Sequence, residues 1–121
     1  MCIFCEMDSK RKIYENSYVF VILDGYPVSQ GHSLIITKRH VSNYFDLTLD
    51  EKQAIDQALM HMKKELDELY HPDGYNIGIN NGEAAGQTVM HLHVHLIPRN
   101  QGDMTNPRGG VRGVIPGKQT Y

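Results

Sequence analysis

Residues 91–97 read His-Leu-His-Val-His-Leu-Ile, so that histidine alternates with an aliphatic residue three times. Side chains of a β-strand point alternately to its two faces, whereas a helix would scatter the same residues around its circumference. The alternation therefore predicts a strand with His91, His93 and His95 on one face and aliphatic side chains on the other. Imidazole serves as nucleophile, acid, base or metal ligand near neutral pH, so this face indicates a site of chemistry.

A second alternating stretch, at residues 75–80, predicts the strand that pairs with the histidine strand. It reads Tyr-Asn-Ile-Gly-Ile-Asn and is joined to the histidines by a Gly-rich loop, so we expect a hairpin with a long loop. The aliphatic faces of the two strands must coincide to build a core. Gly78 and Asn80 then lie on the side of the three histidines, and Gly78 leaves space above the sheet because it has no side chain.

Three further strands and one long helix are predicted upstream. Residues 13–15, 18–23 and 33–37 are short runs rich in β-branched and aromatic residues. Thr48 and Glu51 form a capping-box pair that predicts a helix extending to about Tyr70. The apolar residues of this helix recur at spacings of four and three, which indicates one buried stripe formed by Ile55, Leu59, Met62, Leu66 and Leu69.

Length and composition fit one globular domain. The chain has 121 residues, of which 40% are hydrophobic and 21% charged, as is usual for a domain with a single core. No run is long enough to span a membrane, and the first residues do not form a signal peptide, so we expect a cytoplasmic protein without a membrane partner.

Charge is unevenly distributed along the chain. Residues 1–85 carry 8 Lys/Arg and 13 Asp/Glu, whereas residues 86–121 carry 4 and 1. The C-terminal part therefore has a field that suits a small anion. It lacks the basic stripe that nucleic-acid binding requires, so we expect no nucleic-acid partner.

Cys2 and Cys5 are the only cysteines and are spaced C-x-x-C. A thioredoxin-type redox pair normally follows a strand, and no strand is predicted before this one. A structural disulfide is disfavoured in a cytoplasmic chain. Half of a zinc site would need two further ligands, for which histidines are the natural candidates. The spacing alone leaves these interpretations open.

The loop before the histidine strand has the composition of an anion cradle. Gly86 allows a sharp backbone path, and backbone N–H groups of such a loop can be directed at an anion. Gln87 and Thr88 add side-chain donors. An anion cradle next to a histidine nucleophile suggests phosphoryl or nucleotidyl transfer, in which the histidine attacks phosphorus and water completes the reaction.

The chain closely resembles the histidine triad (HIT) superfamily of nucleotide hydrolases and transferases over roughly residues 1–99. Residues 91–97 match the family signature, in which three histidines alternate with hydrophobic residues. Residues 86–89, Gly-Gln-Thr-Val, match the run that precedes the signature. Cys2-Ile3-Phe4-Cys5, Gly31-His32 and Asn80 also fall where members of the family carry such residues.

The resemblance implies an α+β fold, namely a five-stranded antiparallel sheet with a long helix packed on it. Two subunits would pair into a ten-stranded sheet, which implies a homodimer. Residues 1–99 would form the HIT domain and residues 100–121 a C-terminal extension rich in Gly, Pro and Arg. This extension does not match the C-termini of the best-known branches of the family.

The resemblance also implies a different role for each histidine. His93 would be the nucleophile and carry a transient nucleotidyl group, and His95 would bind the phosphate and assist the leaving group. The backbone carbonyl of His91 would orient His93. Asp24 would bind the ribose hydroxyls, and the remaining residues implied to line the substrate pocket are His32, Asn80, Gly86, Gln87 and Thr88.

Many bacterial members with an N-terminal C-x-x-C bind zinc. By resemblance, the zinc ligands in this chain would be Cys2, Cys5, His40 and His91. This is a closed tetrahedral set of two sulfur and two nitrogen atoms, which is characteristic of a structural rather than a catalytic zinc site.

The implied activity is that of a nucleotidyl hydrolase or transferase with a covalent nucleotidyl-histidine intermediate. It would cleave a phosphoanhydride or phosphoramidate bond of a purine nucleotide conjugate, either a dinucleoside polyphosphate or a nucleoside phosphoramidate. One alternative is a zinc-stabilised nucleotide-binding regulatory module with little turnover. Another is metal hydrolysis at the histidines themselves, which fits less well since no carboxylate base is evident beside them.

Overall fold

A five-stranded antiparallel sheet forms the body of the structure, a computed structural model that describes residues 2–121. The strands are β1 Tyr14–Glu15, β2 Val19–Leu23, β3 Ser33–Thr37, β4 Gly74–Gly78 and β5 His93–Arg99, and the helix is α1 Leu49–Tyr70. The strand order is β1-β2-β3-β5-β4, and α1 packs on the sheet. This architecture confirms the predicted fold class. Within residues 2–121, no helix has the length and apolar character needed to cross a membrane.

Both faces of β2 and β3 are buried because a different layer covers each face of the sheet. Helix α1 covers one face and packs against side chains that include Val21, Ile35 and Val94. The other face is covered by Phe4 from the N-terminal segment, which joins the cluster of Phe20, Ile22, Leu34 and Ile36. Two covered faces explain why these strands are apolar throughout instead of alternating.

The buried stripe of α1 differs from the prediction in its last turn. Ile55, Met62 and Leu66 are buried and Leu59 packs against the core, but Leu69 is 63% exposed. Tyr70 packs against the core instead, because the stripe continues from Leu66 by four residues rather than three. The sequence analysis also missed two small buried residues on this face, Ala54 and Ala58.

The start of α1 is joined to the end of β3 through one buried carboxylate. Thr48 and Glu51 form the predicted capping box, with each side chain accepting the other residue's backbone N–H. Glu51 is 2% exposed and also accepts hydrogen bonds from the Arg39 guanidinium at 2.8 and 3.0 Å. The Arg39 guanidinium and the Thr48 N–H hold the pKa of Glu51 below its ordinary value.

The histidine strand begins at His93, two residues later than predicted. The ladder between β3 and β5 ends at the pair Ile36–His93, because β3 itself ends at Thr37. Beyond that point the backbone N–H of Leu92 donates to the carbonyl of Val41. His91 therefore lies outside the strand, and its side chain is completely buried.

The register places His93 and His95 on the sheet face opposite α1. Their partners on β3 are Ile36 and Leu34, which belong to the cluster around Phe4. On the other side of β5, Gly78 of β4 pairs with His95. The prediction that Gly78 lies on the histidine face is therefore confirmed.

We expect Arg39→Ala to lower the free energy of unfolding by about 2 kcal/mol, because it leaves the buried Glu51 carboxylate without its cation. The matched control is Lys38→Ala, which removes an ion pair to Glu15 in which both side chains are exposed. That control should cost no more than about 1 kcal/mol. Urea unfolding at pH 7 measures both values, and equal losses would contradict the special role of Glu51.

The difference in unfolding free energy between wild type and Arg39→Ala should also depend on pH. Folding lowers the pKa of Glu51, so its stabilising effect is complete above the ordinary carboxyl value of 4.5. The effect is lost as the pH falls through the lowered value of the folded state. The difference in unfolding free energy between wild type and Arg39→Ala should therefore shrink in acid, and a difference that stays constant down to pH 3 would contradict this account.

Candidate active site and metal centre

A backbone carbonyl fixes which nitrogen of His93 carries its proton. The Nδ1 atom of His93 lies 2.9 Å from the carbonyl oxygen of His91. A carbonyl oxygen only accepts hydrogen bonds, so Nδ1 is the N–H donor and the lone pair is on Nε2. The Phe4 ring packs edge-on against the His93 ring at a centroid distance of 5.2 Å. His93 is thus held in one tautomer and one orientation.

A chain of hydrogen bonds assigns the opposite tautomer to His95. The backbone N–H of Val28 donates to Nδ1 of His32 at 3.0 Å, so a neutral His32 carries its proton on Nε2. That Nε2 lies 3.0 Å from Nδ1 of His95 and 3.4 Å from the Asp24 carboxylate. His95 therefore accepts at Nδ1, and its own N–H is on Nε2.

Burial favours the neutral form of the His32 and His95 rings. Loss of solvent lowers the pKa of His32, against the opposing effect of the Asp24 carboxylate. Burial likewise lowers the pKa of His95, and the neighbouring His93 and His32 add to the effect. Neutral rings are the condition under which the tautomers follow from the hydrogen bonds. The site then offers an imidazole lone pair on His93 and an imidazole N–H donor on His95.

A cavity of about 680 Å³ opens in front of His93 and His95. Its apolar wall contains Ile3, Phe4, Met7, Ile22, Leu34 and Val89. Its polar lining comprises, besides the two histidines, Glu6, Asp8, Arg11, Asp24, Tyr26, Asn80 and Thr88, and Gly25 and Gly86 border it with backbone. A cavity with an apolar wall and convergent polar groups is the usual form of a small-molecule site, and this cavity has both.

Gln87 has a different place from the one that the resemblance implied. Its side chain is 3% exposed, accepts the Gly82 N–H at 2.7 Å, and donates to the carbonyls of Ser42 and Val89. The Gln87 amide therefore bonds to backbone groups of its own loop and of Ser42, and it does not line the cavity. It shapes the turn that carries Gly86, whose φ of 94° favours glycine.

Two cysteines and two histidines converge at the end of the sheet. Nδ1 of His91 lies 3.3 Å from Sγ of Cys2 and 3.4 Å from Sγ of Cys5, and Nδ1 of His40 lies 3.2 Å from Sγ of Cys5. All four ligand atoms lie within 4.8 Å of one another, and the two cysteines are free thiols. Tetrahedral zinc with ordinary bond lengths separates its sulfur and nitrogen ligands by about 3.5 Å, so the spacing suits this metal.

The protonation of His91 also suits a metal ligand. Its Nε2 lies 2.6 Å from the carbonyl oxygen of Thr37 and must donate to it, which leaves the Nδ1 lone pair directed at the two cysteines. A carbonyl that accepts from the second nitrogen is the usual support for a metal-bound histidine. Phe4, between the cysteines, contacts both His91 and His93, so the cysteine loop and the cavity share a wall.

The structure therefore brings the predicted residues into two adjoining groups. The cysteine–histidine cluster contains all four predicted ligands. Of the predicted pocket residues, Asp24, Asn80, Gly86 and Thr88 line the cavity. His32 contacts His95 and Asp24 but does not line the cavity, and neither does Gln87. The sequence analysis missed the apolar wall, whose members are spread over four segments. It did not predict that the C-terminal extension forms a short 3-10 helix, Gly110–Val114, that packs beside β4.

A sequence model described as the HIT domain matches residues 6–102 of the chain. Among curated proteins, the HIT protein of Bacillus subtilis is 36% identical over 102 residues, which cover 81% of this chain and 70% of the relative. An adenylylsulfatase of Arabidopsis thaliana is 34% identical over 106 residues, or 84% of this chain and 54% of that protein. A bis(5'-adenosyl)-triphosphatase of Saccharomyces cerevisiae is 35% identical over 101 residues, or 79% and 49%.

Solved structures agree with these sequence matches. A HIT family protein from Bacillus anthracis superposes with a TM-score of 0.78 at 38% identity, covering 84% of this chain and 75% of that chain. A zinc-bound histidine triad family protein from Mycobacterium smegmatis superposes with a TM-score of 0.77 at 35% identity, covering 87% and 79%.

The tautomers can be tested directly by NMR of ¹⁵N-histidine-labelled protein at pH 7. Long-range ¹H–¹⁵N correlations should place the proton of His93 on Nδ1 and that of His95 on Nε2, because a carbonyl oxygen faces one ring and an N–H donor faces the other. In the variant His32→Ala, His95 should lose its preference while His93 keeps its own. The same tautomer on both rings of the wild type would contradict the assignment.

Proposed function

This chain belongs to the HIT domain family, and on that premise we propose that it is a nucleotidyl hydrolase or transferase acting through a covalent intermediate on His93. The observation that carries the proposal is the set of hydrogen-bond partners that assigns opposite tautomers to His93 and His95 at one cavity. The lone pair at Nε2 of His93 and the N–H at Nε2 of His95 follow from their hydrogen-bond partners. A nucleophile and a donor to developing negative charge are what nucleotidyl transfer requires.

The proposed reaction has two displacements at phosphorus. First, the lone pair of His93 Nε2 forms an N–P bond while the bond to the leaving group breaks, and the leaving group departs with the bonding electrons and takes up a proton. His95 Nε2–H donates a hydrogen bond to the charge that develops. Second, water adds to phosphorus, the N–P electrons return to His93, and the surplus proton of water balances the one taken up before. The product is a nucleoside monophosphate.

The cavity supports a nucleoside as the transferred group. Its apolar wall suits a flat base, and Asp24 supplies a carboxylate that can accept hydrogen bonds from ribose hydroxyls. Thr88 and Gly86 border the same space near the two histidines. The names of the plant and yeast relatives both specify adenylyl compounds as substrates. We therefore propose a purine nucleotide conjugate as the substrate.

We further propose that the cysteine–histidine cluster holds a structural zinc ion. The four ligands would be Cys2, Cys5, His40 and His91, a set that leaves no open coordination position for catalysis. Bound zinc would supply rigidity to this end of the sheet. It would hold the residue whose carbonyl orients His93, and it would fasten Phe4 against the cavity.

A homodimer is proposed as the assembly. β4 is an edge strand of the sheet, and Ile77 on this strand is exposed. Helix α1 also exposes Met60 and Leu69. An unpaired edge with apolar surface is the kind of feature that a second copy covers, and pairing of two such edges would give a ten-stranded sheet.

The central test is the hydrolysis of an adenosine 5'-phosphoramidate. We expect His93→Ala to lower kcat roughly 1,000-fold or more, because the nucleophile is lost. The control is His61→Ala, which removes a histidine of α1 outside the cavity and should keep wild-type activity. Wild-type turnover by His93→Ala would contradict the mechanism, and tight AMP binding without cleavage of any adenylyl conjugate would favour a binding module.

Metal analysis tests the zinc proposal separately. The purified protein should contain one zinc ion per chain, and the double variant Cys2→Ser/Cys5→Ser should contain none because both thiolate ligands are gone. His40→Ala should bind zinc more weakly, whereas His61→Ala should retain it. Zinc that persists at one per chain in the double cysteine variant would overturn the proposed ligand set.

A further inference from the structure

The N-terminal segment, residues 2–8, belongs both to the cysteine–histidine cluster and to the 680 Å³ cavity. Cys2 and Cys5 lie in the cluster with His40 and His91. The other members of the segment line the cavity, namely Ile3, Phe4, Glu6, Met7 and Asp8. One short stretch of chain therefore connects the chemical state of two thiols to a wall of the candidate active site.

Few hydrogen bonds hold the N-terminal segment on the sheet. Among residues 2–7, the one backbone–backbone hydrogen bond runs from the Glu6 N–H to the Cys2 carbonyl, inside the segment itself. The next backbone hydrogen bond to the sheet comes from the N–H of Ile13, which donates to a carbonyl of β2. The segment is otherwise held by apolar packing, above all that of the buried Phe4, and by the contacts of the two cysteines with histidines.

The two cysteines are placed for oxidation to a disulfide. Both are free thiols, and their Sγ atoms lie within 4.8 Å of each other. Cys5 is exposed, so an oxidant in solution can reach it. The backbone N–H of Cys5 also lies 3.4 Å from Sγ of Cys2, a contact that favours a thiolate there. C-x-x-C pairs are a common framework for reversible thiol–disulfide chemistry.

A disulfide and a metal site exclude each other at these sulfur atoms. Zinc binds thiolates, and formation of the disulfide removes both thiolates at once. The Sγ contacts with Nδ1 of His91 and Nδ1 of His40, now 3.2–3.4 Å, would lose their basis. The N-terminal segment would then keep only its apolar packing.

Phe4 connects this change to the cavity. Its ring is 6% exposed and packs edge-on against His91 and His93, at centroid distances of 5.8 and 5.2 Å. A disulfide between Cys2 and Cys5 closes a loop of four residues that contains Phe4. Such a loop alters the backbone from which the ring projects. Displacement of the ring removes apolar surface from the cavity wall.

We propose that Cys2 and Cys5 form a redox switch of the cavity. A hydroperoxide converts the two thiols into a disulfide, the N-terminal segment leaves the sheet, and the affinity of the cavity for nucleotides falls. Reduction by a dithiol reverses the change. This inference rests on the proposed function for its nucleotide ligand and goes beyond it by adding a regulatory modification site.

The oxidation balances with a hydroperoxide as its one co-reactant. The thiolate sulfur of Cys5 attacks a peroxide oxygen, the O–O bond breaks, and Cys5 becomes a sulfenic acid. The sulfur of Cys2 then forms the S–S bond and displaces the sulfenic oxygen as water. In sum, two thiols lose two electrons and two protons, and hydrogen peroxide becomes two molecules of water.

The test treats the zinc-loaded full chain with hydrogen peroxide and measures three quantities. These are the free thiols, the zinc released to a chromogenic chelator, and the Kd for AMP by titration calorimetry. We expect the loss of both thiols, the release of zinc, and a roughly tenfold or larger rise in Kd, because a buried phenylalanine contact contributes at least that factor. Dithiothreitol followed by zinc should restore the original Kd.

Three variants show whether the effect passes through the cysteines and Phe4. The double variant Cys2→Ser/Cys5→Ser should show no change in Kd on peroxide treatment. Phe4→Ala should still lose its thiols and zinc, but its Kd should change much less on oxidation because the wall is already missing. Met7→Leu removes the one methionine among the described lining residues and should keep the wild-type fold-change, since the effect does not come from methionine oxidation.

The outcomes separate this inference from the proposals on which it builds. A disulfide that forms without raising the Kd for AMP, or thiols that survive peroxide in molar excess, would overturn the switch. A loss of helical circular dichroism on oxidation would also overturn it, because the account requires the sheet and α1 to stay folded. A reduced protein that does not bind AMP would contradict the proposed function instead. A reduced protein without zinc would contradict the metal proposal alone, because the thiol count and the AMP affinity still test the switch.

Discussion

One hydrogen bond, from Nδ1 of His93 to the backbone carbonyl of His91, underlies the proposed chemistry. It fixes the lone pair of His93 on Nε2, and His93 lines the 680 Å³ cavity. The carbonyl can hold this position only if His91 itself is fixed. His91 is completely buried, donates to the carbonyl of Thr37, and directs its other nitrogen at two cysteines. The proposed site therefore depends on contacts at the end of the sheet that lie outside this cavity.

Three histidines at alternating positions thus differ because their surroundings differ. His91 lies beyond the last pair of the β3–β5 ladder, beside the cysteines. His93 faces a carbonyl oxygen, and His95 faces the N–H of His32, so their exposed nitrogens are a lone pair and a donor, respectively. Burial keeps the pKa of His95 low, and this favours the neutral ring on which the second role depends. One sheet face can therefore supply a nucleophile and a hydrogen-bond donor from the same residue type.

Periodicity in the sequence was enough to predict the strands, the helix and the histidine face, because burial of one face imposes a repeat of two or 3.6 residues. It failed where a side chain's partner is set by contacts distant in sequence. Tyr70 replaces Leu69 at the end of the helix stripe, and the Gln87 amide bonds to backbone groups instead of lining the cavity. The C-terminal segment has no hydrophobic periodicity, so its structure was not predicted. Its position follows from glycine turns and from contacts with β4. The resemblance to a family supplied the candidate metal ligands and substrate residues that spacing alone left open.

The most direct test of this account is to identify the nitrogen that carries the nucleotidyl group. Protein labelled with ¹⁵N-histidine would be mixed with an adenosine 5'-phosphoramidate and quenched in alkali, which preserves an N–P bond. The peptide containing residues 91–97 would then be examined for one-bond coupling between ³¹P and ¹⁵N. The account predicts coupling to Nε2 of His93. Attachment to Nδ1 of His93, or to either nitrogen of His95, would contradict it.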